Sequence, residues 1–333
     1  MRTNIINKTK QIGLLLLTLS CIALDGCNEE EVEVPHKGAH SPLMQAIADK
    51  MPYIQSVERE RLIKPHAGVS ILEAELTYCT KPTRLFIAEV DLNKGLQIEL
   101  LTPEDKLTIS PYLQTVMEQV RFVEDSGRKV WLATNGDFFS GKDGAWVPGG
   151  LVYKRGKALW TTRGYEADHA FYTLDDGSVH ISTYEEFVLV ESRVQNAVSG
   201  WERLVVDGKA SWSFTPGDNS MLFHPRTCVG VSQDNKKAYF IVVDGRQPEY
   251  SNGMRIEDLA LLCESAGCYQ ALNIDGGGSS TMIYREPRVG GRYPFWMINK
   301  PSLDPSNPYD TYYDPEYKAR RVLNGFMVLE TNN

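Results

Sequence analysis

The sequence predicts an α+β fold: a mixed β-sheet core with flanking helices and β-hairpins, and one cavity where strands end. Three observations carry this. Two stretches read as strand, helix, strand, each with enough chain for a parallel crossover. Asp176-Gly177 and Asp207-Gly208 each sit between extended segments, the commonest short hairpin signal. An apolar run, Ala271 to Ile274, delivers Asp275 to three consecutive glycines, Gly276, Gly277 and Gly278.

At the N-terminus, Arg2, Lys8 and Lys10 precede an apolar segment, Ile12 to Leu24, that is too short for a stable bilayer span. It ends at Leu24-Asp25-Gly26-Cys27, which resembles a bacterial lipobox, with Asp25 departing from the usual small or apolar residue. Cys27 is the expected lipidation site, and Cys21 after Ser20 is the second candidate. The acidic tether after Cys27, Asn28 to Glu33, is similar to those that send lipoproteins to the outer face of a Gram-negative envelope. The expectation is a cell-envelope lipoprotein of the outer membrane, facing periplasm or cell surface, attached only through the lipid on Cys27. Residues 1–26 are then signal peptide, 27–40 an acidic linker, 41–80 an N-terminal arm or helix packed on the main domain, and 81–331 that domain. Removal of the signal leaves 307 residues, enough for a sizeable core. Net charge is −8 with no basic cluster, which argues against nucleic acid as a partner. Cys79, Cys228, Cys263 and Cys268 match no zinc spacing; Cys263 and Cys268 are the nearest pair in sequence.

Ser41-Pro42 reads as a helix start leading to Met51. Leu85 to Leu92 and Leu96 to Leu101 read as strands around Asn93-Lys94-Gly95. Ser110-Pro111 opens a second helix with Leu113, Met117, Val120 and Val123 on one face and Gly127 beyond its end. Lys129 to Thr134 is a short buried strand that stops at Asn135-Gly136-Asp137. Thr227 to Ser232 and Ala238 to Val243 form a hairpin that runs into Asp244-Gly245-Arg246. A helix follows, with Asn252 as candidate cap and Gly267 as terminator, and then the strand to Asp275. If strands 238–243 and 271–274 are parallel, Asp244 and Asp275 lie on one rim, roughly 5 Å apart as neighbours or about 10 Å with one strand between. Asn135 and Asp137 end a strand in the same way. Ligands collect at such rims.

Three consecutive glycines supply no side chain to bury, and they let a ligand approach the backbone, where N–H groups form an anion-binding concavity. The same loop also suits a plain strand-to-strand bend with a solvated aspartate. Arg226, just before the hairpin that feeds Asp244, suits bidentate phosphate contact or a surface position. Arg246 is placed either to pair with Asp244 or to bind an anion. His224, before a proline, reads as a loop residue with acid–base capacity. Tyr309, Tyr312, Tyr313 and Tyr317 lie in a segment suited to a sugar-stacking wall or to surface packing.

Five motifs then occur in order: Asn135-Gly136-Asp137-Phe138-Phe139, Arg226-Thr227-Cys228-Val229-Gly230, Val243-Asp244-Gly245-Arg246, Asn273 through Asp275 to Met282, and Arg320…Val322…Asn324. Together they resemble the phosphodiester glycosidase family, from about Leu85 to the C-terminus. Cys228 and Arg321 depart mildly from the pattern. The resemblance implies hydrolysis of a sugar-1-phosphodiester, such as an α-N-acetylglucosamine-1-phosphate ester, to free sugar and phosphomonoester, with no cofactor and no metal. Asp275 or Asp244 then acts at the anomeric carbon as nucleophile or base. Carboxylates about 5 Å apart favour retention and about 6.5–9.5 Å inversion. Arg226 and Arg320 grip the phosphate with the Gly276, Gly277 and Gly278 amides, and Asn135 and Asn273 orient sugar hydroxyls. Asp137, Thr227, Arg246, Ser279, Ser280, Thr281 and Asn324 complete the expected substrate-binding set. Two rivals are a metal-dependent phosphodiesterase using Asp137, Asp244 and Asp275, and a lipoprotein that binds polysaccharide or sugar phosphate without turnover. The metal reading lacks accompanying histidines and oxygen ligands.

Overall fold

The structure, a computed structural model, describes residues 37–331 apart from 143–144, 163, 165–167, 213–220, 287, 303–312 and 315–317. All belong to the compact unit Pro35–Asn333. The expected signal peptide, Cys21, Cys27 and most of the acidic linker lie outside the described residues, as do Tyr309, Tyr312 and Tyr317.

The described chain opens with α1 (Pro42–Lys50), then β1 (Ile54–His66), β2 (Val69–Tyr78) and β3 (Lys81–Asp91). Next come β4 (Leu96–Leu101), α2 (Val116–Asp125) and β5 (Val130–Asn135). Short strands follow: β6 (Phe139–Lys142), β7 (Ala145–Pro148), β8 (Val152–Lys154), β9 (Lys157–Trp160), β10 (His169–Leu174) and β11 (Val179–Thr183). Then come α3 (Tyr184–Val190), β12 (Val194–Gly200), β13 (Arg203–Val206), β14 (Lys209–Ala210), β15 (Arg226–Val231) and β16 (Lys237–Val243). The last elements are α4 (Ile256–Ser265), β17 (Gln270–Ile274), β18 (Met282–Arg285), β19 (Phe295–Met297), β20 (Tyr313–Asp314), β21 (Ala319–Arg320) and β22 (Gly325–Glu330).

An eight-stranded sheet runs β1-β2-β3-β16-β15-β17-β13-β14; two five-stranded sheets run β11-β10-β12-β8-β9 and β19-β18-β5-β22-β4. Every described pairing is antiparallel. The fold is therefore α+β but predominantly β, and the expected mixed sheet is corrected. The two strand–helix–strand units do have parallel strands, yet β15 lies between β16 and β17, and β22 between β4 and β5. Each inserted strand comes from outside the unit, β15 from the preceding hairpin and β22 from the chain end.

Alternation along the central strands feeds two cores. Ile241 and Val243 face α1 and α4 with Met44, Ile47, Leu259 and Leu262. Phe240 and Val242 face the smaller sheets with Phe171, Val198, Leu132 and Phe326. Each such buried side chain contributes roughly 1.5–3 kcal/mol, and the edge-on Phe171–Phe326 contact at 5.0 Å joins the two five-stranded sheets.

Local signals explain most boundaries. Ser41 caps α1, accepting from Met44 N–H, with Pro42 in the first turn. α2 begins at Val116, later than Ser110-Pro111 suggested, because Thr115 and Glu118 form a reciprocal capping box. Ser110 Oγ instead accepts from Tyr112 N–H. α4 starts after Arg255, and the expected cap Asn252 gives its N–H to Pro82 O instead. Strands β1 and β2 were not visible in the sequence pattern. Register shifts interrupt β1 at three places, which breaks the period-two alternation that marks a strand.

Candidate active site

Strand β15 starts where β16 and β17 end: Arg226 pairs with Val243, and Thr227 with Ile274. Arg226, Asp244 and Asp275 therefore share one rim, the two aspartates about 10 Å apart across β15. The third sheet delivers Asn135 at the end of β5, paired with Gly325 at the start of β22, to the same place. Its side chain ties the sheets together. Asn135 Nδ2 donates to Asp275 O at 2.5 Å, while Oδ1 accepts from Thr227 Oγ1 at 3.1 Å and Thr281 N–H at 3.0 Å.

Above this anchor lies a cavity of about 190 Å³ lined by Arg226, Arg246, Arg320, Asn273, Asp275 and Gly276 to Gly278, with His224, Pro225, Ile274, Phe138 and Trp201. Arg226 is held on its far side, Nε donating to Met254 O and Nη2 to Leu222 O, each at 3.0 Å. The Arg320 guanidinium lies over the Phe139 ring at 5.2 Å. Arg246 occupies the left-handed region at φ 58° and donates from Nε to His224 Nδ1 at 3.3 Å, which assigns the imidazole proton to Nε2. Asn273 Oδ1 is buried and has no hydrogen-bond partner among the described residues.

The glycine loop is built for close approach. A Cβ on Gly276 would lie 2.7 Å from Pro225 O, and Gly277 has φ 61°. Gly277 N–H donates to Pro225 O at 2.9 Å, so the expectation of three available amides is corrected to two. Among the described residues, the N–H groups of Gly276 and Gly278 meet no protein acceptor. Among the described residues the site thus sets one carboxylate among three guanidinium groups and two bare amides.

Several expected contact residues do not line this cavity. Asp244 is 1% exposed; its Oδ1 accepts from Asn299 Nδ2 at 2.8 Å and its Oδ2 from Lys300 N–H at 2.8 Å and Tyr250 OH at 3.1 Å. Its carboxylate is turned into this network, so the pairing of two carboxylates at an anomeric carbon is corrected, and the spacing rule for stereochemistry has no pair to act on. Asp137 and Asn324 are also not in the cavity lining, with Asn324 Oδ1 accepting from Asp137 N–H at 2.8 Å. A Cβ on Gly136 would lie 2.4 Å from that oxygen, so any larger residue there displaces the Asn324 amide. Thr227, Ser279, Ser280 and Thr281 are buried beneath the loop and are not in its lining. Asn135 likewise acts as a tie rather than a cavity wall. The three aspartates of the metal reading therefore do not converge. Among the described residues no group of three or more His, Cys, Asp or Glu is arranged to hold a metal. Cys228 Sγ and Cys263 Sγ stand 3.3 Å apart between β15 and α4.

Asn299, Lys300 and Tyr250 are the members that sequence reasoning missed. Asn299 bridges Asp244 and Ser280 O through Nδ2 and accepts from Met282 N–H, so it locks the glycine loop to β16. No local pattern links residues 55 positions apart. Trp201 was missed too, although Trp201 N–H donates to Asn273 O.

Burial raises the Asp244 carboxyl to about 7 against the pull of Asn299, Lys300 and Tyr250. A folded value above the unfolded 3.8 means that the native state holds a proton the unfolded chain releases. This contribution to stability is full below the unfolded value, falls as pH rises, and is lost above about 7. We predict that the stability difference between the native chain and Asp244→Asn, followed by urea unfolding, shifts against the native chain across that window. A pH-independent difference would show that Asp244 is ionised throughout.

The fold and this cavity define a β-rich protein in which, among the described residues, one carboxylate shares a cavity with three guanidinium groups. The chain belongs to the phosphodiester glycosidase family, whose model matches residues 128–329. Among solved structures, it is similar to the catalytic domain of zebrafish N-acetylglucosamine-1-phosphodiester α-N-acetylglucosaminidase auto-inhibited by its pro-peptide. That match has 18% identity and TM-score 0.58 and covers 89% of this chain and 95% of that one. A protein of Burkholderia pseudomallei, provisionally described as exported, matches with 12% identity and TM-score 0.54 over 84% of this chain and 98% of its own. Both show a shared fold. The uncharacterized SPbeta prophage-derived protein YomE of Bacillus subtilis is 29% identical over 154 residues, 45% of this chain, and the match spans 22% of that protein's length.

Proposed function

We propose that the chain hydrolyses the bond between the anomeric carbon of a sugar and the oxygen of a phosphodiester, releasing free sugar and a phosphomonoester. The observation that carries this reading is the Asp275 carboxylate sharing a cavity with Arg226, Arg246, Arg320 and the Gly276 and Gly278 amides. A phosphodiester carries one negative charge. As the carbon–oxygen bond breaks, the leaving group approaches the roughly −1.5 to −2 of a phosphomonoester. Three guanidinium groups match that growing charge together with Asp275, so they stabilise the transition state more than the ground state.

A phosphate that leaves readily needs little proton donation, which suits a site with one carboxylate. Asp275 then acts at the anomeric carbon, either attacking it or activating water against it. His224, with Nε2 protonated, stands in the cavity to donate to a phosphate or hydroxyl oxygen. Asn273 Oδ1 offers an acceptor for a sugar hydroxyl, and Trp201 with Phe138 supplies an apolar wall for a pyranose face. Asp244, Asn135, Asn324 and their partners act through the loop they hold. An N-acetylglucosamine-1-phosphate ester is the first substrate to test, and a lipid on Cys27 would hold the enzyme at the cell envelope.

Hydrolysis of α-sugar-1-phosphate esters in ¹⁸O-water tests the bond assignment. The label is expected in the sugar. Label in the phosphate means P–O cleavage and a different reaction, and glycan binding without product means a binding protein.

A further inference from the structure

A second groove, of about 450 Å³, opens between the β10–β11 hairpin and the side where β13 ends and β17 starts. It lies at the opposite end of β17 from Asp275, about 13 Å along the strand from Gln270 to Ile274. Its walls are rigid. Tyr172 and His180 are cross-strand partners with rings stacked at 5.3 Å and 13°. His180 Nε2 meets Ser178 Oγ at 2.7 Å, and that hydroxyl donates to Asp176 Oδ1, which fixes the imidazole. On the facing side Tyr269 is fixed by both backbone groups, its N–H donating to Val231 O and its carbonyl accepting from Gly208 N–H, each at 2.8 Å.

The same groove holds a polar relay. Arg203 Nη2 donates to Gln270 Oε1, and Gln270 Nε2 donates to Asp207 Oδ1 at 2.9 Å. Arg203 Nε is buried and has no partner among the described residues. The charge balance differs from that of the catalytic cavity: one guanidinium faces the carboxylates of Asp207 and Glu186. Such a groove has no excess positive charge for a phosphate. Planar amide, guanidinium and carboxylate groups match paired hydroxyls, and the half-buried Tyr269 ring, with His180 backed by Tyr172, supplies cover for the apolar side of a pyranose.

We infer that this groove is a second binding site, for a neutral oligosaccharide, separate from the catalytic cavity. It binds a stretch of glycan without cleaving it. The test uses the full chain on an array of neutral and anionic tetra- to hexasaccharides, followed by calorimetric titration of the strongest binder. A neutral glycan is expected to bind, with Tyr269→Ala and the exposed Asp207→Ala each weakening it about tenfold or more and Arg226→Gln leaving it unchanged. The inference is overturned if no neutral glycan binds, if only anionic ones do, or if Arg226→Gln removes binding that Tyr269→Ala and Asp207→Ala leave intact. Binding is read without turnover. A chain that binds but cleaves no phosphodiester overturns the hydrolase reading alone, and one that cleaves but does not bind overturns the groove alone.

Discussion

Asp275→Asn is expected to lower the turnover of a sugar-1-phosphate ester by on the order of 10²–10⁴-fold while the protein keeps its fold. The side chain is half-buried at the cavity, and the position is held by its backbone: Asp275 N–H donates to Gly136 O at 3.1 Å and its carbonyl accepts from Asn135. The amide is close in shape to the carboxylate, so neither tie is disturbed. The effect separates kinetically. Removing a negative charge beside three guanidinium groups leaves anion binding equal or tighter, so KM should hold or fall while kcat collapses. Steady-state kinetics with a thermal unfolding scan checks both halves. Near-native kcat in a folded variant would remove Asp275 from the chemistry, and with it the reaction proposed for this cavity.

Asp275 was legible in the sequence because its signal is local: an apolar strand, an acid and three glycines in succession. Arg226 was legible for a similar reason, since it immediately precedes a recognisable hairpin. The sharing of a rim by Asp244 and Asp275 also followed from strand–helix–strand order, although the strand between them did not. Side-chain direction was the part that sequence could not supply. Asp244 follows a strand end just as Asp275 does, yet Asn299 and Lys300, more than fifty residues later, turn its carboxylate inward. The Gly277 amide is engaged by Pro225 O, a contact that the glycine run does not encode. Strand β1 failed for a third reason, its bulges, and the insertion of β22 between β4 and β5 for a fourth: those partners lie far back in the chain, although the final strand itself, over Phe326 to Leu329, was readable. In each case the missing information is a long-range pairing, which leaves no periodicity to read.

Asn135 shows what that distinction means for experiment. From sequence it was expected to orient a sugar hydroxyl; in the structure it is fully buried and joins Asp275 O, Thr227 Oγ1 and Thr281 N–H. Asn135→Ala would remove the side-chain partner of the Thr281 N–H and of the Asp275 carbonyl, whereas Thr227 keeps Ser280 Oγ at 3.1 Å. Each orphaned buried group costs about 1–3 kcal/mol, so a loss of roughly 2–6 kcal/mol is expected, against a total of about 5–15 kcal/mol for a typical fold. Asn135→Asp isolates the catalytic consequence more gently: it keeps an acceptor for Thr281 N–H but sets an oxygen against the Asp275 carbonyl. That repulsion acts on the backbone of the reacting residue, so kcat should fall along with the urea midpoint. A sugar contact would give the opposite pattern, a raised KM with unchanged stability, since the lost partner would be the ligand and not the fold. Unfolding midpoints and Michaelis parameters on the two variants therefore decide whether the junction between the large sheet and the β5 sheet is what holds Asp275 in place.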